Sequence, residues 1–238
     1  PKTALPEVES ALTAHGWATG HHDTYDQRYY RQWMHELPPF QHIKRETSLD
    51  VHHNILPETA RLKPRADLLL AAAVPAAADP EVLVLAPADM VLHSMTHLFH
   101  NEELSHGLRD LSDIDLLLRH FGTDPGFWQV LLARAEAMDL GRPLYYGLRY
   151  GAAILGTPVP AEVLAGAERW RPPAALATLM DALWWRALRT RHSTAALPFT
   201  DLALFALYVR GHWLRMPPLL LAYHLTVKAL RRERVEEE

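Results

Sequence analysis

The stretch Phe40 to Pro57, FQHIKRETSLDVHHNILP, gathers a carboxylate, imidazoles and an amine within a few residues. Read as a strand, its alternation puts Asp50 and His52 on one face, with Lys44 further along it, and Leu49 and Val51 on the other. Aspartate is depleted inside strands, so a carboxylate here needs a reason. Two reasons stay open at this point. The face meets water, or the carboxylate holds a divalent ion, because Mg²⁺ prefers oxygen ligands in fixed geometry. A phosphoryl- or nucleotidyl-transfer site uses such an ion against a triphosphate. One aspartate does not complete a two-metal site, and the rest of the strand adds only Glu46.

A second constellation is His93-x-x-x-His97-x-x-His100. Positions i, i+4 and i+7 share a helix face, and three imidazoles there could take zinc. Ser94 stands where a zincin would carry glutamate, which argues against metalloprotease chemistry. Asp89 extends the same polar stripe one turn earlier. The bland reading is a polar seam. A third candidate, Asp113-x-Asp115, resembles a metal-binding pair, but residues two apart on a helix diverge by ~200°. Asp113 is expected instead to face the histidine helix and pair with His97 or an arginine. No GxGxxG, GxxxxGK[ST] or GxSxG occurs, so Rossmann, P-loop and α/β-hydrolase chemistry has no support.

These residues need elements to position them. Leu5 to Trp17 reads as a helix stopped at Gly16, and His21 to Arg28 as a polar loop. Tyr30 to Leu37 suits a strand, Pro38-Pro39 a turn, and Gln41 to Ile55 a second, half-buried antiparallel strand. From Arg65 the chain turns helical. Helices are expected over Ala66–Ala73, Pro87–Leu104, Leu108–Phe121, Asp124–Met138, Pro143–Leu155, Pro160–Arg169, Pro173–His192, Thr200–Leu214 and Pro217–Arg234, with a brief extended segment at Glu81–Leu85. The joints carry Pro or Gly, as packed helix pairs require. The fold class is therefore α+β, a small antiparallel sheet portion over residues 1–62 followed by a larger all-helical part over 63–238. Trp128, Trp184 and Trp185 suit helix cores. The last helix has the apolar run LLLAY, far short of the ~20 residues that span a bilayer. Its basic end suits the helix dipole, or a membrane or partner surface.

The 238 residues hold 49% apolar and 22% charged side chains, ordinary for a globular protein. A net charge of −4 gives no electrostatic case for bulk nucleic-acid binding. There is no cysteine, which excludes disulfides and thiolate chemistry and fits a reducing cytoplasm. Fifteen histidines are many for this length. Pro1 to Ser10 lacks the basic-then-apolar pattern of a signal peptide. The chain starts PKTALPEVES without methionine, which suggests a piece of a longer protein.

The order of short motifs carries a resemblance. His15-Gly16-Trp17 is followed by Trp33-Met34-His35-Glu36-Leu37-Pro38-Pro39-Phe40 and by Leu49-Asp50-Val51-His52. Then come Leu85-Ala86-Pro87-Ala88-Asp89 with Leu92-His93 and His97, Leu108-Arg109-Asp110-Leu111-Ser112-Asp113, and Ala135 to Leu140. Over roughly Leu5 to Pro160 this resembles the uncharacterised nucleotidyltransferase family, a branch of the DNA polymerase β-like superfamily with a helical C-terminal part. The resemblance implies transfer of a nucleoside monophosphate from an NTP to an unknown acceptor, with Mg²⁺ held by a Gly-Ser turn, a paired-Asp motif and a third Asp. Asp50 matches that third carboxylate, with His52 and Lys44 placed for phosphate or acceptor contact. No Gly-Ser turn with an Asp-x-Asp strand precedes Asp50 in this chain. The alternative is a catalytically degenerate member that binds a ligand or partner.

Overall fold

The computed structural model describes residues 1–20, 24–101, 104–195, 197–224 and 226–227, and for 24–28 the backbone alone. Helix α1 (Leu5–Ala14) ends in a turn at His15 and Gly16. Gly16 has φ +85°, a left-handed conformation that glycine reaches without strain, and it swings the chain into strand β1 (Trp17–Thr19). Helix α2 (Thr24–Trp33) follows, then β2 (Phe40–His42) and β3 (Ser48–Leu49). The three strands make one antiparallel sheet, β1-β2-β3, with Trp17 opposite His42 and Phe40 opposite Leu49. A second small ladder joins β4 (Val74–Pro75) to β5 (Leu83–Val84).

Two expectations for this region change. Residues 30–37 do not form a strand: Tyr30 to Trp33 close α2, Met34 and His35 bend, and Glu36 makes a single bridge. The stretch from Gln41 to Ile55 is not one continuous strand but a hairpin with a turn over residues 43–47. That turn has none of the usual Gly, Pro or Asn signals. The His42 ring supplies the missing chemistry, its Nδ1 accepting the N–H groups of Lys44 (3.1 Å) and Arg45 (3.3 Å). Glu46 takes the left-handed position at φ +54°. In the expected loop at His21 to Arg28, residues 21–23 lie outside the described set and α2 begins at Thr24.

The helical part follows the expected order more closely. It comprises α3 (Ala66–Ala72), α4 (Pro87–His100), α5 (Gly107–Phe121), α6 (Phe127–Ala137), α7 (Gly141–Tyr150), α8 (Ala161–Ala167), α9 (Ala174–Ala187) and α10 (Thr200–Arg215). A wide π turn, Gly151–Leu155, continues α7 as far as Gly156. Residues 218–224 are helical, and the basic end of the last predicted helix lies outside the described residues. Helix α4 is the centre of the core. Val91, Leu92, Met95, Leu98 and Phe99 are all buried, and α4 packs on α5, α6 and α7. Burying each such side chain contributes ~1.5–3 kcal/mol. Trp128 and Trp184 lie in this core, whereas Trp185 is exposed.

Asp89 does not extend an open polar stripe. It is fully buried and accepts two hydrogen bonds from the Arg134 guanidinium of α6, at 2.9 and 2.7 Å. Asp113 does not face the histidine helix either. It is exposed, while Asp115 accepts from Arg119 (2.9 Å) and from Thr157 Oγ1 (2.6 Å). Among the described residues no helix is long and apolar enough to cross a membrane.

Candidate functional site

Leu37 precedes Pro38-Pro39, and a residue before proline is pushed out of the helical region. The chain leaving α2 bends at Met34 and His35, and residues 35–37 then pair with residues 51–53. Leu37 N–H donates to Val51 O (2.9 Å) and His53 N–H to His35 O (2.8 Å). Between these two bonds Glu36 faces His52 as an isolated antiparallel bridge. A pair flanked in this way brings its side chains closest, on one side of the ladder. His52 Nε2 lies 3.3 Å from Glu36 Oε2. The His35 ring is 5.0 Å from that of His52, centroid to centroid. One donor atom from each of His35, Glu36 and His52 lies within 4.8 Å of the others.

Helix α4 brings two more imidazoles within electrostatic reach of this group. Its His93 and His97 rings sit 4.4 Å apart, tilted by 47°. Arg215, at the end of α10, adds its positive field. Burial, then His52, Arg215 and His97, push the His35 imidazole down to about 3. Burial, His93, His52 and Arg215 push His97 down to about 4, and burial with His52 lowers His93. The cause is the same in each: an imidazolium here would lose its water and meet other cations. At neutral pH these rings are uncharged and keep a lone pair. Burial raises the Glu36 carboxyl, an effect opposed by His52 and reinforced by Asp50.

The residues singled out in the sequence fall as follows. Asp50 comes directly after β3, exposed, close enough to Glu36 to act on its charge. No hydrogen bond or ion pair among the described residues occupies it. Lys44 is exposed in the hairpin turn. His52 stands in the bridge with Glu36. His93 and His97 approach the group around His52, whereas His100 is 3% exposed and feels Arg210 of α10. His97 Nδ1 is 3.2 Å from the Asn101 amide nitrogen; with that amide donating, the ring proton is on Nε2. The three α4 histidines do not form a converging donor set, and among the described residues the group that does is His35, Glu36 and His52. In the sequence His35 and Glu36 stand out only as part of an expected strand and a family motif. The signal for them was a His-Glu pair one residue before Pro-Pro.

Clefts lie elsewhere among the described residues. One of about 570 Å³ is lined by Pro87, Phe121, Phe127 and Val130, and one of about 540 Å³ by Arg186, Arg191 and Phe199. Neither touches the Glu36–His52 bridge. Chemically, the bridge region offers an exposed carboxylate for a hard cation, an imidazole–carboxylate pair able to move a proton, and neutral imidazoles behind them.

No curated protein and no solved structure matches the chain. A family model described as an uncharacterised nucleotidyltransferase matches residues 1–156, which take in Asp50, the Glu36–His52 bridge and helix α4. With that match over well more than half of its length, the chain belongs to the uncharacterised nucleotidyltransferase family.

Proposed function

We propose that this protein transfers a nucleoside monophosphate from an NTP to an acceptor in a Mg²⁺-dependent reaction, with Asp50 as the carboxylate this segment offers to the ion. Family membership implies an NTP substrate and a divalent metal. The observation that carries the residue assignment is Asp50 itself: exposed, with no described partner, at the end of a strand beside Glu36 and His52. Mg²⁺ keeps several waters and is held by one or two carboxylates together with substrate phosphates, so a single free carboxylate fits it. When bound, the ion supplies charge neutralisation on the phosphates.

The chain's own groups would serve the remaining needs. Lys44 and Arg215 carry positive charge toward a triphosphate. His52, two residues from Asp50, would stand beside the phosphates or the acceptor; the acceptor's oxygen bonds to the α-phosphorus as the bond to pyrophosphate breaks, and the acceptor's proton passes to water. Residues 1–62 would form the nucleotide-handling portion and 63–238 the helical portion that completes it. A cysteine-free chain of this composition suits the cytoplasm.

The test is an assay of the full-length gene product with Mg²⁺ and each of the four common NTPs, following pyrophosphate release and, by calorimetry, nucleotide binding. Asp50→Ala should lower activity at least ~100-fold, as loss of a group acting on transition-state charge does, while leaving the melting temperature unchanged. Full activity in Asp50→Ala would sink the assignment. If no NTP binds in a Mg²⁺-dependent way, the degenerate reading, a ligand- or partner-binding member, takes its place.

A further inference from the structure

We infer that His35, Glu36 and His52 form a binding site for a borderline transition-metal ion, zinc foremost, separate from the Mg²⁺ that Asp50 would hold. Two imidazole nitrogens and one carboxylate oxygen are a donor set for Zn²⁺, Fe²⁺, Mn²⁺ or Co²⁺ with positions left open, whereas Mg²⁺ prefers oxygen throughout. The three donor atoms already lie within 4.8 Å of one another. A zinc ion with ligands at ~2.0–2.2 Å needs them about 3.3–3.5 Å apart, a contraction that side-chain torsions can supply.

The backbone fixes this convergence before any ion arrives. The paired bonds from His53 N–H to His35 O and from Leu37 N–H to Val51 O hold Glu36 opposite His52. His35 is 6% exposed, and its Nδ1 is buried with no hydrogen-bond partner. An orphaned buried nitrogen costs ~1–3 kcal/mol. The competing explanation is a plain Glu36–His52 ion pair beside a core histidine. That explanation leaves His35 Nδ1 without a partner, and an ion at the centre of the three donors gives the His35 ring one to bind. His93 and His97, on α4, lie within electrostatic reach of His52.

An ion here would tie residues 35–37 to residues 51–53, directly beside Asp50. Its effect is therefore read most directly as stabilisation of the fold by mass action. The experiment uses tag-free protein, stripped with chelator and dialysed. It is titrated with Zn²⁺ against a competing chromophore, and with Co²⁺ by absorption spectroscopy. The expected result is one ion per chain, a zinc-dependent rise in melting temperature, and a visible Co²⁺ band of mixed nitrogen and oxygen ligation. His52→Gln, at an exposed position, should weaken binding at least tenfold and abolish the rise. Glu36→Gln should do likewise. Should His35→Ala fail to fold, these two variants still decide the matter. A His93→Ala/His97→Ala double variant and Asp50→Ala should both keep the ion. Zinc retained in His52→Gln and Glu36→Gln, or no stoichiometric binding of any of these ions, would overturn the site. Loss of NTP chemistry in Asp50→Ala with zinc still bound would separate this inference from the proposed function.

Discussion

His100 makes no contact that the proposed chemistry requires, yet it sets a condition on the whole fold. Burial first, and then the Arg210 charge, push its imidazole down to about 3 from the ordinary 6.5. The unfolded chain therefore takes up a proton at a pH where the folded one does not. Stability from this residue is complete above about pH 6.5 and is lost as pH falls toward 3. Between pH 7 and pH 5 the loss is ~1–2 kcal/mol from this single ring. His97, pushed down to about 4, adds to it with the same sign. Urea midpoints at the two pH values should show the drop, and His100→Gln should reduce it by about that amount. An unchanged pH slope in the variant would contradict the account. Asp50 and His52 were visible as candidates in the sequence because they share a short polar alternation. His35 and Glu36 were not, because their relation to His52 is a backbone bridge across sixteen positions, and such pairing leaves no local spacing to read.

At the scale of elements, α4 holds its place through two contacts with different tolerances. A Cβ built on Gly147 of α7 would lie 2.5–2.7 Å from Met95 Sδ, Cγ and Cε. The two helices touch so closely there that Gly147→Ala should cost a net ~1–2 kcal/mol, overpacking outweighing the helix-propensity gain of ~1 kcal/mol. A denaturant midpoint would check this, and a more stable variant would refute it. Asp89 and Arg134 tie α4 to α6, with Asp89 at 0% exposure. Arg134→Met leaves a buried, unpaired carboxylate and should cost about 3 kcal/mol. Melting near wild type would show that Asp89 finds other relief. The helices were legible because proline and glycine mark their ends, as Pro87 and Gly156 do. The hairpin turn was not, since a histidine side chain replaces the usual turn residues. Helix α2 was not legible either. Its Tyr29 ring stacks on His224 at 4.6 Å and Trp33 meets Tyr223 edge-on, so its burial partners come from the far end of the chain.

Across the whole molecule, the sheet portion is joined to α10 by a clasp. Arg61 N–H donates to Leu214 O (2.8 Å), Arg61 Nε to Trp213 O (3.1 Å) and Thr59 Oγ1 to Arg215 O (2.8 Å). The Arg61 guanidinium also lies 4.0 Å from the Trp213 ring centre. Carbonyls in the last turn of a helix have no partner within it, and here a segment some 150 residues earlier supplies one to three in succession. Arg61→Ala should cost ~1–2 kcal/mol, and limited proteolysis should then cut between α10 and the sheet sooner than in the parent. Equal protection would dismiss the clasp. It also imposes a schedule. At ~5–20 residues per second, His35, Glu36, Asp50 and His52 leave the ribosome roughly ten to thirty seconds before Arg215. During that interval the chain carries these donors without Arg215, whose positive charge acts on His35 and Glu36 in the finished fold. A growing chain of this protein therefore meets metal ions before the charge that opposes them is in place.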